Sequence, residues 1–205
     1  MPFRHTEATR ALRLQRDKNR MRAYFRSERK KLSNESRSLL DSALLANTAL
    51  LPCFQQAKLI LFYYPVKGEP NLLPLARHAL SSGKRIAFPR SNAETCTMTF
   101  HEVSDLSELS IGTYDIPEPS DTIPAITDFS DSICIVPALC FDYFGYRLGY
   151  GKGFYDRFLA QYPGITLGLT YGSFLQERLP HGPYDRQVDF IITETGEILP
   201  YEAFS

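Results

Sequence analysis

Between Arg147 and Asp156 the sequence reads RLGYGKGFYD, with glycines at 149, 151 and 153 and Lys152 set between two of them. Glycines at this density let backbone N–H groups converge on one anion without obstruction from Cβ atoms. A helix expected from about Phe154 to Gln161 turns its N-terminus to the same point. Arg147 and Lys152 add positive charge of the kind that holds phosphate groups. The spacing is neither of the two common nucleotide loops. A Walker A loop needs Ser or Thr after its lysine, where Gly153 stands, and the dinucleotide fingerprint needs a third glycine, where Phe154 stands. The HRD and DFG elements of protein kinases are missing as well. Taken alone, the loop favours a nucleotide or phosphate site over a plain turn.

Charge is the second signal. The 205 residues carry 23 Lys/Arg and 23 Asp/Glu, so the formal net charge is zero. Met1 to Lys31 nevertheless holds eleven Lys/Arg against three Asp/Glu, a local charge of +8, and the remainder is acidic by the same amount. Such a basic segment fits a nucleic-acid arm, a membrane-surface helix, a phosphate clamp or a solvated helix face. Cys53, Cys96, Cys134 and Cys140 form no CxxC pair, and the four histidines are scattered singly. A zinc-type centre is therefore not expected, and the thiols read as reduced, with Cys53, Cys134 and Cys140 packing as small hydrophobes.

The elements that must position the loop follow from pattern. With 43% hydrophobic and 22% charged residues the chain has apolar material for one sizeable core. No run approaches the roughly 18 apolar residues of a membrane span, and MPFRHTEATRALRLQR lacks the apolar stretch of a secretory signal, so a cytoplasmic protein is expected. Leu14 to Leu32 reads as a basic helix, and Ser33 as the N-cap of a second helix that Pro52 ends. Ala57 to Pro65, Lys84 to Pro89, Met98 to Val103, Asp131 to Pro137, Gly164 to Tyr171 and Val188 to Thr195 read as strands, with a helix from Asn71 to Ser82. Strand, helix, strand within about thirty residues is a βαβ unit. The expected fold is a single doubly wound α/β domain, its mostly parallel sheet flanked by helices, behind a basic helical N-terminus. Residues 17–205 form that domain, and residues 1–16 are set outside it as an extension open to disorder.

RLGYGKGFYD resembles, residue for residue, the signature of the 5-formyltetrahydrofolate cyclo-ligase family, also called 5,10-methenyltetrahydrofolate synthetases. Other blocks agree in order: a KxxxR at Lys18 and Arg22, YYPVKGE with Glu69, FPR at Phe88 to Arg90, YDIPEP at Tyr114 to Pro119, VPALCFD before the loop and VDFIIT near the end. The resemblance spans about Lys18 to Thr195. It implies a cytoplasmic, monomeric ligase that uses ATP and Mg2+ to cyclise 5-formyltetrahydrofolate to 5,10-methenyltetrahydrofolate, releasing ADP and phosphate. By match with the family, ATP is held by Lys18, Asn19, Arg20, Met21 and Arg22 together with Arg147, Leu148, Gly149, Tyr150, Gly151, Lys152, Gly153, Phe154 and Tyr155. Arg147, Lys152 and Tyr155 are implied as catalytic. The folate is implied to meet Tyr64, Glu69, Tyr114 and the stretch from Tyr150 to Phe154, with Arg90 a candidate for its glutamate tail. Asp156 and Asp189 match the family's magnesium positions. Glu69 is chemically apt, because a reduced pterin offers paired N–H donors that a carboxylate accepts. The remaining arginines and lysines of the basic helix, including Arg26 and Arg29, are expected on a solvated face.

Two other classes compete. A sugar-phosphate isomerase or acyl transferase uses similar α/β scaffolds, but a catalytic base or nucleophile at a strand end is lacking apart from Glu69. A nucleic-acid-binding protein would use the basic segment as an arm, against which stand the acidic body and the lack of a zinc or RNP motif.

Overall fold

The computed structural model describes residues 7–200. In chain order its helices and strands are α1 (Glu7–Lys31), α2 (Asn34–Leu50), α3 (Pro52–Gln56), β1 (Leu59–Leu61), α4 (Leu73–Ser81), β2 (Arg85–Asn92), β3 (Thr97–Val103), β4 (Ser110–Ile111), β5 (Pro117–Glu118), β6 (Ser132–Val136), β7 (Cys140–Asp142), β8 (Arg147–Leu148), α5 (Phe154–Leu159), β9 (Ile165–Leu169), β10 (Leu175–Gln176), β11 (Phe190–Thr193) and β12 (Gly196–Ile198).

The main sheet has the order β12-β11-β9-β6-β1-β2-β3. Its inner strands are parallel, and β3 and β12 close the two edges antiparallel to their neighbours. Among the parallel strands the chain visits β1, steps out to β2, then returns to β6 on the other side of β1. The order reverses there, so the connections leave in opposite directions and open a crevice beyond the carboxyl ends of β1 and β6.

The central strands LIL and SICIV are buried at every position, as a parallel sheet covered on both faces requires. Alternation divides their side chains. Ile60, Ile133 and Ile135 pack with Phe25, Leu44 and Phe54 from the first three helices. Leu59, Leu61, Cys134 and Val136 face the other way, towards Phe141 of β7 and Phe158 of α5. At Gly168 a Cβ would lie 2.4 Å from the Phe141 ring. Glycine there lets the small sheet β10-β7-β8 press directly onto β9.

Several local expectations change. The first helix starts at Glu7, so residues 7–16, set aside as an extension, continue the helix without a break. The first six residues and the last five of the expected domain lie outside the described residues. Ser33 caps α2 as expected, accepting from Ser36 N at 3.1 Å. Pro52 does more than end that helix, because it takes the first turn of α3, where its missing N–H costs nothing. Of Ala57 to Pro65 only Leu59–Leu61 pairs as strand, and Tyr63 and Tyr64 leave the sheet towards the crevice. Met98 to Val103 is the antiparallel return of a hairpin with β2. Cys134 and Cys140 are buried and Cys53 packs against the core. Burial pushes the thiols of Cys134 and Cys140 well up, which leaves them inert. No described helix is long and apolar enough to cross a membrane.

Candidate functional site

A cavity of about 340 Å³ opens at the reversal point, with Tyr63, Tyr64 and Pro137 supplied by the carboxyl ends of β1 and β6. A groove of about 500 Å³ at the opposite end of the sheet, lined by Cys53, Asp131 and Glu197, takes only Phe190 of the VDFIIT block from the sequence motifs. Helix α1 forms one wall of the cavity. Lys18, Arg22 and Arg26 stand at i, i+4 and i+8, so they share one face of that helix and all line the cavity. Lys18 Nζ pairs with the Asp185 carboxylate at 2.5 and 2.6 Å. Arg22 donates through Nε to Gly149 O at 2.8 Å and through Nη1 to Asn19 Oδ1 at 2.7 Å. Burial, and next the neighbouring Arg26, hold the Arg22 guanidinium below its ordinary value, while Asp185 and Asp156 pull it the other way. A further anion would relieve that strain between cations.

The glycine loop forms the facing wall. Strand β8 delivers Arg147, and the loop bends at Gly151 (φ +99°) and Gly153 (φ +74°), conformations that side chains other than glycine rarely tolerate. Among the described residues the N–H groups of Gly151, Lys152 and Gly153 donate to no protein acceptor. The Arg147 side chain is 4% exposed. Its Nη2 donates to Asp156 Oδ1 at 2.8 Å, and its Nη1 to Arg186 O at 2.9 Å. Asp156 Oδ1 also accepts from Arg186 N at 3.3 Å. The segment carrying Asp185 and Arg186 is thereby tied to both walls. Lys152 is exposed, with Nζ 5.8 Å from the centre of the Tyr114 ring, and Tyr114 stands edge-on to Phe154. Helix α5 is six residues long and stops at Leu159, so the free N–H groups and side-chain cations dominate this pole rather than the helix dipole.

The other pole of the cavity is built around Glu69. The residue is 4% exposed and accepts from Val66 N at 3.0 Å. Burial pushes its carboxyl up to about 7, partly offset by the Val66 hydrogen bond, Arg29, Tyr150 and Lys67. Such a group changes charge near neutrality and is sensitive to any donor brought against it. Beside it the Tyr150 and Tyr155 hydroxyls are shielded from solvent and lack well-formed hydrogen bonds. The Tyr150 ring is flanked by Arg26 at 5.6 Å and Lys67 at 5.3 Å. Buried hydroxyls and a buried carboxyl converging on one cavity are groups that await a polar ligand.

Most residues implied by the sequence meet here: Lys18, Arg22, Tyr64, Glu69, Tyr114, the whole run Arg147 to Tyr155, and Asp156 all line the cavity. Others do not. Arg20 is exposed and Met21 packs into the core, because only every fourth position of α1 faces the cavity. Asn19 acts through Arg22. Arg90 is engaged with Pro119 O at 2.9 Å and Asp121 at 3.6 Å, away from the cavity wall. Asp189, expected as a second magnesium carboxylate beside Asp156, is not brought there. It sits at the amino end of β11, where Oδ2 accepts from Thr166 N at 2.8 Å and Thr166 Oγ1 at 2.7 Å. The second carboxylate at the phosphate-like pole is Asp185, four residues earlier. Sequence reasoning also missed Arg26, which the i, i+4, i+8 spacing from Lys18 could have revealed. Arg29 is no surface residue: it is 2% exposed, held by Ala138 O and by Leu139 O at 3.2 Å, and close enough to favour the charged form of Glu69.

Comparison with known proteins identifies one family. Residues 14–194 match the profile of the 5-formyltetrahydrofolate cyclo-ligase family. The chain is 26% identical over 174 residues to the 5-formyltetrahydrofolate cyclo-ligase of Escherichia coli K12, covering 82% of this chain and 96% of that protein. It is 28% identical over 189 residues to the enzyme of that name from Mycoplasma pneumoniae, covering 87% and 99%. The structure of Aquifex aeolicus 5,10-methenyltetrahydrofolate synthetase superposes with a TM-score of 0.78 at 32% identity, covering 92% of this chain and 95% of that one.

Proposed function

We propose, for a chain that belongs to the 5-formyltetrahydrofolate cyclo-ligase family, that this cleft converts 5-formyltetrahydrofolate to 5,10-methenyltetrahydrofolate at the expense of ATP. The family makes the chain an ATP-dependent ligase. The observation that carries the specific reading is the pairing of two chemically opposite poles in one cavity: a cationic, glycine-lined pole and a buried carboxyl with two unsatisfied tyrosine hydroxyls.

The residues fit a triphosphate and its cation. Free N–H groups of the glycine loop, Lys152 and Arg22 present donors to phosphate oxygens. Asp156 and Asp185 offer the few hard carboxylate oxygens that Mg2+ shares with phosphates and water. Bound there, Mg2+ would supply neutralisation of phosphate charge. These carboxylates are matched by Arg147 and Lys18, so charge is balanced locally at this pole.

The chemistry explains why a triphosphate is needed. The formyl group on N5 is amide-like, and its oxygen is a poor leaving group. Transfer of the γ-phosphoryl group to that oxygen breaks the bond to ADP and makes the formyl carbon electrophilic. N10 then attacks this carbon and loses its proton, and phosphate departs with the formyl oxygen. The protein's part is to position and to neutralise charge. Glu69 holds the pterin by its N–H donors, and the Tyr150 and Tyr155 hydroxyls face the reacting region. The positive charges of Arg147 and Lys152 neutralise the negative charge that develops on the phosphoryl oxygens.

The competing readings lose ground on particular observations. Among the described residues no Cys or His lines the cavity, so an acyl transferase or isomerase would have to work with Glu69 or Ser91. Lys18 and Arg22 are buried in the cavity wall rather than forming an exposed arm, and Arg26 lines the cavity from an exposed position.

The test is the absorbance of the conjugated methenyl product, followed with 5-formyltetrahydrofolate in the presence and absence of ATP and Mg2+. Product must depend on both; product formed without ATP, or none with both, would overturn the reading. Lys152→Ala should weaken binding of ATP roughly ten- to a hundredfold, the worth of one charge-assisted contact. Because Lys152 is exposed and supports no core, its melting temperature should stay within a few degrees of the parent's. Unchanged KM for ATP would remove the lysine from the site.

A further inference from the structure

On the outer side of the glycine loop, Arg157 makes an arrangement that the reaction does not require. It stands four residues after Gly153 on α5, and its guanidinium folds back over the loop. Nη2 donates to Lys152 O at 2.5 Å, and Nε donates to Cys96 O at 2.8 Å. Cys96 belongs to the turn between β2 and β3 and holds a left-handed conformation there (φ +52°). One side chain thus ties the glycine loop to a hairpin of the main sheet. No carboxylate pairs with Arg157 among the described residues, so its donors go to the two carbonyls.

The consequence follows from peptide geometry. In a trans peptide the C=O and the next N–H point in opposite directions. Fixing Lys152 O outward on Arg157 therefore turns the Gly153 N–H inward, towards the cavity that Gly153 lines, and among the described residues that N–H donates to no protein group. Gly153 itself makes room for the arrangement. A Cβ there would lie 3.0 Å from Arg157 Nη1, and its φ of +74° is strained for any other residue. Gly153 and Arg157 act as a pair.

We propose that Arg157 is a positioning residue for the anion cradle, locking the Lys152–Gly153 peptide so that the Gly153 N–H is presented to a bound phosphate. The proposal rests on the triphosphate reading given above. Arg157 touches no ligand; it acts through the loop, by ordering it before binding.

The experiment uses the full chain and its Arg157→Ala variant, with inorganic tripolyphosphate and a non-hydrolysable ATP analogue as probes in Mg2+ buffer. Affinity for both should fall about tenfold, and the ratio should persist in roughly 0.5 M salt, where long-range attraction by a surface charge is screened out. Backbone order parameters of Gly151 and Gly153 in the free protein should drop from the rigid range near 0.85 towards 0.6. Melting temperature should change by only a few degrees. Equal affinities, or a ratio that vanishes with salt, or unchanged order parameters would overturn the proposal. A parent protein that binds neither probe would remove the triphosphate reading itself, and the order parameters would then decide the role of Arg157 alone.

Discussion

Asp156→Asn is expected to lower turnover at least roughly a hundredfold and to raise the magnesium concentration needed for half-maximal rate. Asp156 lies at the cationic pole, beside the glycine loop, and its Oδ1 accepts from Arg147 and from Arg186 N. Asparagine keeps one acceptor oxygen, so the hydrogen bonds can persist. It removes the negative charge that a cation bound beside a triphosphate would use, and the charge that balances the buried Arg147. Loss of folded stability should be modest, about 1–2 kcal/mol, because the Asp156 side chain is 28% exposed and the pair is partly screened. If Asp156 served only the first turn of α5, the cost would be no more than about 1 kcal/mol and the magnesium curve would not move. Activity against magnesium concentration, recorded beside a melting curve, separates the two. Superimposable magnesium curves would take Asp156 out of the site.

Glu69→Gln is expected to weaken binding of the reduced folate about ten- to a hundredfold at pH 8 while leaving the affinity for an ATP analogue unchanged. Glutamine keeps the shape but sets an NH2 donor against a pterin N–H, a buried mismatch worth about 1–3 kcal/mol. The pH dependence gives a second reading. Burial raises the Glu69 carboxyl to about 7 in the folded protein, against an ordinary value of 4.5. The folded state therefore keeps its proton where the unfolded chain has lost it. The stabilisation is full below pH 4.5 and is lost as pH rises to about 7, by at most about 3 kcal/mol. A ligand that donates to the carboxylate favours its ionised form, so folate affinity should rise with pH up to about 7 and then level off. In Glu69→Gln both the stability slope and the affinity slope across that window should flatten. Equal loss of folate and nucleotide binding in the variant would instead mark Glu69 as a structural residue.

How far the sequence alone carries can be judged at particular residues. The central strands were legible because a buried parallel strand must be apolar at every position, as LIL and SICIV are. The glycine loop was legible because only glycine supplies the backbone freedom found at Gly151 and Gly153. The small sheet of β7, β8 and β10 was not, since strands of two or three residues carry no periodicity to read. That Asp185 lines the cavity and Asp189 does not has the same kind of origin. Both acids lie in YDRQVDF, and nothing local tells them apart. What separates them is tertiary: Arg147 grips Arg186 O and Lys18 grips Asp185, while Thr166 on the neighbouring strand takes Asp189. Arg29 shows the limit of a charge count. A basic helix reads as solvated until the partners that bury one of its faces are known.

Whether one cleft moves a phosphoryl group onto the formyl oxygen and then expels it is read by following that oxygen. With 5-formyltetrahydrofolate carrying a heavy isotope in the formyl group, and ordinary ATP and water, each phosphate released should contain one heavy oxygen for each methenyl product formed. Mass spectrometry of the phosphate reads this without ambiguity. Phosphate carrying only ordinary oxygen, formed while the methenyl product accumulates, would mean that ATP is hydrolysed by water and that the phosphorylated formyl route is wrong.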